Sequence, residues 1–530
     1  MHLNKKKNSK KVASFISELN QLNNSKLWWA LNFTSKNPLN SNLFKDLLLI
    51  TNNVQNLVKN NHGIKTTQSN NIIHKVIIDK YFEIESKEKF ELYFLYKFII
   101  NFFKSIILLF NSYIFTLFSK NKNLDSEILI FSYVDSRSRG NTDTYFGDLI
   151  DKIKLEYPHY KISYLFYAYR PYFSNIKKLF EEKNYYLFLF KILRLSDYIW
   201  CLKTVFNFYY LSPILPIFKI NDKQIDLNLL VKDCIIEEIS KGLIDNLLIF
   251  RAFRRLNKMK TLKMIIYPFE NKSLEKMMLF ALDNAIKTVG YQHSSISNRH
   301  FSLILNSEES KIVPLPNKII TTGYITKDWL ISQANIPVNM LSVGVSLRNA
   351  NSQYLEKKIE NNNKIKLLFP FSSSLNEIYD TIHFLKKIHD ISTFEFRFRF
   401  HPDFPFIKLS KKAKNWIEEN NIHVSKCNLL DDFKWADITC YVSSSIAIES
   451  LRNNVPIIHL NIDMLESDPL LNQKIPLKWH VESDKEFIET ISFIAKIDKF
   501  DRKKRYSKSK KIVDQYLIDR SNLNLKVFID

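Results

Sequence analysis

Glycine is scarce in this chain, with seven in 530 residues. They stand at Gly63, Gly140, Gly147, Gly242, Gly290, Gly323 and Gly344. No GxGxxG and no GxxxxGK followed by serine or threonine can be assembled from them, so a dinucleotide fingerprint and a P-loop are both excluded. Cysteine is as sparse. Cys201, Cys234, Cys427 and Cys440 are widely separated and form no CxxC pair, which argues against a disulfide framework and a zinc site and for a reducing cytoplasm. Lys5-Lys6-Lys7 is not followed by an apolar core and a small-residue cleavage site, so no secretory signal is expected. No aspartate pair of DxD type stands at a strand end, and Asp431-Asp432 has the character of a turn; no metal is called for.

What is abundant is positive charge, 77 Lys+Arg against 54 Asp+Glu for a formal net charge of +23. The lysines are scattered among asparagine and isoleucine, and no helix-turn-helix or RNA-binding signature accompanies them. Nucleic acid is therefore not the expected partner; a membrane surface or phosphate-bearing substrates suit the charge.

Residues 1–122 form an N-terminal helical segment with an asparagine-rich loop over 52–71. Within it Leu92–Phe118 is strongly apolar but interrupted by Lys97, Asn101, Lys104 and Asn111. The pattern suits an interfacial or protein-buried helix, with a bilayer span as the alternative. From Glu127 strands and helices alternate. The strand Glu127–Val134 leads into a polar loop bearing Asp135, Gly140 and Asp143, and then a helix from about Thr144. Open α/β sheets present ligand groups on such loops at strand carboxyl ends. Asp135 and Asp143 are candidate general bases, with a helix N-cap the competing role for Asp143. Lys161–Ala168 is the next strand; Glu270 closes a later one, Thr261–Tyr267, and His293 the one after that, in Gly290-Tyr291-Gln292-His293-Ser294. If those strands are neighbours, Glu270 and His293 share a rim, a carboxylate–imidazole arrangement suited to acid/base work; two separately bonded side chains are the alternative.

A polar stretch, 348–364, reads as a linker into a second α/β unit over 365–500, with a basic helix over 501–530. In Phe394–His401 phenylalanine alternates with Glu395, Arg397 and Arg399, the period of a strand. Arg399 and His401 at its carboxyl end suit an anionic ligand such as phosphate. Some forty residues on, Ser443-Ser444-Ser445 opens a helix, a second expected anion site, although an ordinary serine N-cap looks the same. Glu449, one turn in, is placed to reach a sugar hydroxyl.

Taken in order, several stretches carry a resemblance. They are Trp28-Trp29 with Ser35-Lys36-Asn37-Pro38, Tyr145-Phe146-Gly147, Gly290–Ser294, Gly344 with Leu347-Arg348, Arg399-Phe400-His401-Pro402, and Ala436-Asp437 through Ser445. Together the chain resembles a bacterial surface carbohydrate (O-antigen type) biosynthesis protein family of GT-B glycosyltransferases. The second unit is also similar to bacterial sialyltransferases and polymer-forming glycerophosphotransferases. The resemblance implies a GT-B-like α/β fold of two Rossmann-like units facing a cleft, with 123–347 on the acceptor side and 365–500 on the donor side. His401, Ser444 and Ser445 would hold the donor phosphate, with His293 across the cleft. Arg399-Phe400 stands where the family tends to carry lysine and proline.

The implied activity is metal-independent sugar transfer from a nucleotide-sugar donor, CMP- or UDP-linked, to a surface polysaccharide or lipid-linked glycan. The donor is a substrate and no resident cofactor is expected. His293, Asp143 and Glu270 are the expected catalytic residues, and Arg399, His401, Ser443, Ser444, Ser445 and Glu449 the expected donor contacts. The expected location is cytoplasmic, with peripheral contact on the inner membrane face. A nucleotide-sugar epimerase, a CDP-alditol glycerophosphotransferase and a non-catalytic envelope assembly protein are the rivals.

Overall fold

The structure is a computed structural model that describes residues 2–59, 71–83, 90–118, 125–134, 143–168, 186–347, 355, 364–388, 391–462, 465, 467–471 and 473–530. Asp135 and the loop through residue 142, and nearly all of the expected linker, lie outside the described residues.

Seven strands form the first sheet: β1 (Ile128–Val134), β2 (Ile162–Ala168), β3 (Tyr186–Phe188), β6 (Met264–Pro268), β7 (Lys287–Gln292), β8 (Lys318–Thr321) and β9 (Leu341–Val343). A small antiparallel hairpin, β4 (Phe218–Ile220) and β5 (Lys223–Ile225), stands apart from it. The sheet order is β3-β2-β1-β6-β7-β8-β9, and every pairing in it is parallel. Every residue of β1 is buried, as a parallel strand covered on both faces requires, which is why Ile128–Val134 reads as a near-continuous apolar run.

The second sheet runs β12-β11-β10-β13-β14-β15, again all parallel. Its strands are β10 (Ile365–Pro370), β11 (Phe394–Arg399), β12 (His423–Val424), β13 (Ile438–Tyr441), β14 (Ile457–Leu460) and β15 (Lys478–Val481). In β11 the expected alternation holds: Phe396 and Phe398 are in the core while Glu395 is exposed and Arg397 and Arg399 are half-buried.

Each unit therefore begins in the middle of its sheet, builds outward to one edge, and returns to the other side of its first strand. That order creates a switch point between β1 and β6, and another between β10 and β13. In open α/β sheets the crevice outside the carboxyl ends at such a point is where ligands bind.

Three boundaries differ from expectation. The loop expected over 52–71 begins later, because the helix Asn42–Lys59 continues through the first asparagines. The helix expected from Thr144 starts at Leu149, after a turn. The terminal segment is not one helix. Lys499–Val513 packs on the second unit, and the chain then crosses back to the first, where Leu525, Phe528 and Ile529 enter its core. That core also holds Val12, Phe15 and Trp29, so the N-terminal segment and the first sheet share one interior.

The crossing is tight at Gly323, where an added Cβ would lie 2.2 Å from the backbone oxygen of Gln515 and 2.5 Å from that of Tyr516. Thr322 and Ile518 clamp the same place, Ile518 N donating to Thr322 O at 2.9 Å and Thr322 Oγ1 to Tyr516 O at 3.1 Å. Backbone cannot yield as a flexible side chain does. Gly323→Ala should therefore detach residues 514–530, and limited proteolysis should clip that tail from the variant while sparing the parent.

Candidate active site

At the first switch point β1 contributes Ser132, which donates to Asp143 Oδ2 at 2.6 Å. Asp143 Oδ1 accepts from the backbone N–H of Tyr145 and of Phe146, both at 2.7 Å. Asp143 also bridges Gly147, whose φ of +58° lies in the left-handed region and whose missing Cβ lets Leu347 O approach. Both carboxylate oxygens of Asp143 are thus committed to holding the turn that carries Tyr145. This corrects both sequence expectations: Asp143 is neither a helix N-cap nor a base facing the crevice.

Glu270 and His293 do come together. Their strands β6 and β7 are neighbours, and His293 Nε2 lies 3.5 Å from Glu270 Oε1. Tyr145 meets the His293 ring edge-on, with centroids 4.8 Å apart at 90°. Lys272 makes a second ion pair with Glu270. Burial works to raise the Glu270 carboxyl, but Lys272 and then His293 outweigh it and bring it down to about 2. Glu270 is therefore an anion throughout the physiological range. Beside an imidazole it favours the charged ring and so stabilises the imidazolium formed when the ring takes a proton.

Glu275, which the sequence reading did not single out, holds this rim. Its carboxylate accepts from Glu270 N at 3.0 Å and Asn271 N at 2.8 Å. Ser302 Oγ donates to Glu270 O at 3.0 Å, and Asn271 Nδ2 donates to Ser302 O at 2.6 Å. Burial, then the neighbouring Glu270, push the Glu275 carboxyl up to about 8.

The second switch point repeats the device. Glu377 accepts from Ser372 N at 3.2 Å and from the hydroxyls of Ser372 and Ser443, and Ser443 Oγ reaches Ser372 Oγ at 2.8 Å. The serine turn after β10 and the serine turn after β13 are thereby joined across the crevice through one buried carboxyl. Burial raises that carboxyl, opposed by the two serines and by Arg299 of the first unit. A sequence signal for both glutamates exists: Pro268-Phe269 and Pro370-Phe371 each close a strand, and each proline is followed by glutamate at its seventh position, Glu275 and Glu377.

Among the expected donor contacts, Ser443 is in this network, Ser444 is buried beside it, and Ser445 is exposed at the N-cap position of Ile446–Arg452. Glu449 is half-buried on that helix. His401 follows β11, and its Nδ1 accepts from Asp403 N at 3.2 Å, which places the ring proton of the neutral imidazole on Nε2. Arg399 departs from expectation. Its guanidinium turns to the β12 flank and bonds Asp432 at 2.7 Å and Cys427 O at 2.9 Å. Asp432 also takes Arg397 at 3.1 Å, and Arg397 stacks on Trp435 at 3.9 Å. The fully buried Asp432, thirty-three positions from Arg399 and thirty-five from Arg397 in sequence, holds both guanidinium groups on this flank.

One group among the described residues has metal-ligand spacing: His459, Asp468 and His480, with ligand atoms within 4.8 Å of one another. Lys478 Nζ lies 2.5 Å from Asp468 Oδ2 and Tyr441 donates to Oδ1 at 3.0 Å, so the carboxylate is already engaged. His459 Nε2 donates to Val442 O at 3.0 Å, directly behind the serine turn, and its Nδ1 faces His480 Nδ1 at 3.0 Å. Burial lowers His459 to about 4 despite Asp468. An unfolded chain would take up that proton near pH 6.5 and the folded one would not, so the contribution is complete above about pH 6.5 and is lost as pH falls toward 4. Stability should drop by about 1.4 kcal/mol per pH unit below 6.5 from this group. Denaturation midpoints at pH 7 and pH 5 should converge in His459→Gln relative to the parent.

No protein-family model matches the chain, and no curated protein matches it. Among solved structures the chain is similar to Anabaena HepE in complex with UDP and glucose, at 10% identity and a TM-score of 0.39, covering 74% of this chain and 95% of that one. It is similar to UDP-GlcNAc 2-epimerase from Neisseria meningitidis bound to UDP-GlcNAc, at 11% identity and 0.41, covering 73% and 97%. A third is the wall teichoic acid polymerase TagF, at 10% identity and 0.37, covering 83% and 95%. At such values residue roles do not transfer, and the fold assignment rests on the strand order of this chain. Two Rossmann-like units, each with its own switch point and facing the other, define a GT-B-like α/β protein.

Proposed function

We propose that the chain transfers a sugar from a nucleotide-activated donor, bound at the second switch point, to a glycan acceptor bound at the first. The observation that supports this most is the pairing of unlike chemistry on two similar frames. The first rim carries an imidazole held by a permanently charged carboxylate; the second carries hydroxyls and backbone N–H groups joined across its crevice by Glu377.

In this mechanism the acceptor hydroxyl gives its proton to His293 as its oxygen bonds the anomeric carbon. The bond from that carbon to the donor phosphate breaks, and its electron pair leaves with the nucleotide. The turns at 372–374 and 443–445, with His401 Nε2–H, would stabilise the charge that develops on the departing phosphate. Arg299, whose charge is felt at Glu377, would add to the same stabilisation. A surface polysaccharide or lipid-linked glycan is the acceptor class proposed.

Thermal shifts with CMP, UDP, GDP and CDP identify the nucleotide, and transfer from the matching sugar nucleotide is then assayed. His401→Ala should weaken nucleotide binding about tenfold or more, the loss of a hydrogen bond to a charged group. Unchanged affinity would remove His401 from the site. Conversion of the free donor without any acceptor would replace transfer with epimerisation, and release of CMP with an alditol phosphate transferred would replace the sugar.

A further inference from the structure

The helix Glu91–Phe118 is long and apolar enough to cross a bilayer, yet its contacts oppose that. Phe94, Phe98 and Leu109 are buried in the first core. Lys97 is tied to Asp233 at 2.5 Å and Glu237 at 2.9 Å, and Asn101 accepts from Ser240. Withdrawing the helix to span a membrane would strand Asp233, which is 4% exposed, without its cation.

The other face is the unusual one. Leu92 is 77% exposed, Tyr96 68%, Phe103 60%, Ile107 59% and Phe110 60%. At 100° per residue these fall within an arc of about 60°, directly opposite the buried side. An exposed helix face is normally polar; this one is apolar over about 27 Å. It continues onto the neighbouring helix Leu195–Tyr209, where Ile199 and Phe206 are exposed, and Phe206 meets Phe98 edge-on at 5.8 Å. Tyr210, 5.7 Å from Phe206, is exposed beside it.

Charge decides what covers this face. The helix Glu91–Phe118 holds Lys97 and Lys104 and one acid, Glu91, at its first residue; the segment 195–221 holds Lys203 and Lys219, and its one acid, Asp197, is buried and paired with Arg251 and Arg255. Lys104 and Lys203 are exposed. A second copy of the chain would bring those lysines against their own counterparts, whereas an anionic lipid surface complements them. We infer that this two-helix face docks on an anionic bilayer, with both helices lying in the plane of the interface and their aromatic and aliphatic side chains entering the headgroup boundary. The inference is independent of the sugar-transfer reading.

The test is flotation of the full-length protein with vesicles of phosphatidylcholine alone or with about 30% phosphatidylglycerol. Binding is expected to the anionic vesicles, weakened by salt, and to fall about tenfold or more in the triple variant Phe103→Ser, Ile107→Ser, Phe110→Ser. Circular dichroism identical to the parent would show that the variant is folded. Lys104→Glu with Lys203→Glu should remove the preference for anionic lipid. Phe103→Trp should be quenched by lipids brominated near the headgroup more than by those brominated at the chain ends. Equal flotation of parent and triple variant would overturn the inference. So would resistance to carbonate extraction, which would mean a span, or a lipid-free dimer that the triple variant dissociates, which would mean a second copy on this face.

Discussion

His293→Ala should lower the turnover of sugar transfer by about 10² to 10⁴, the range for loss of a positioned acid/base group, while nucleotide affinity stays within about twofold. The two readouts separate because His293 sits at the first switch point and the donor contacts at the second. Glu270→Gln should act in the same direction with a smaller loss. The glutamine amide occupies the same place beside Nε2 but supplies no charge to an imidazolium. A pH–rate profile distinguishes orientation from charge: if the Glu270 anion stabilises the protonated ring, the limb that reports His293 should move to lower pH in Glu270→Gln. A His293→Ala variant with parental turnover would remove this residue from the chemistry.

The second large effect is on stability. Lys36, 1% exposed and in a left-handed backbone conformation, pairs with the fully buried Glu309 and donates to Ser17 Oγ at 2.9 Å and Ile304 O at 2.6 Å. Glu309 also accepts from Asn20 at 3.0 Å. Close by, Lys276 lies 4.6 Å over the Trp29 ring, and burial outweighs Glu309 to bring its amine down to about 7. Glu309→Ala would leave the Lys36 ammonium buried without its anion, at a cost of about 3–5 kcal/mol. Lys36→Met combined with Glu309→Leu should recover most of that, since replacing both partners removes the stranded charge. Denaturant midpoints of the single and double variants measure it. A single variant within about 0.5 kcal/mol of the parent would contradict the ion pair as drawn.

This network also explains why Trp28-Trp29 and Ser35-Lys36 stand out in the sequence: they pin the N-terminal segment to the first unit. What was legible beforehand was local. The phenylalanine alternation of β11, the continuous apolar run of β1 and the serine turn before Ile446 each declare themselves within a few residues, because strand period and turn composition are short-range. The contact between Glu270 and His293 could be framed because it needed one assumption, that two successive parallel strands are neighbours. What was not legible depended on partners far away in sequence. Arg399 looked like a phosphate ligand until Asp432 claimed it. Glu275 and Glu377 each lie one turn inside a helix and resemble ordinary first-turn acids. Their work is to fold back on the preceding loop, and only the repeated spacing after Pro-Phe hints at it. The return of the C-terminal tail to the first unit has no local signature at all.

The central claim is that the donor nucleotide sits at the second switch point while the first supplies the base. Hydrogen–deuterium exchange with and without the nucleotide that gives the largest thermal shift tests it most directly. Binding should slow exchange at 371–374, 401–404 and 442–446 and leave 268–272 and 291–294 at their unliganded rates. Protection confined to the first unit's rim would contradict the claim.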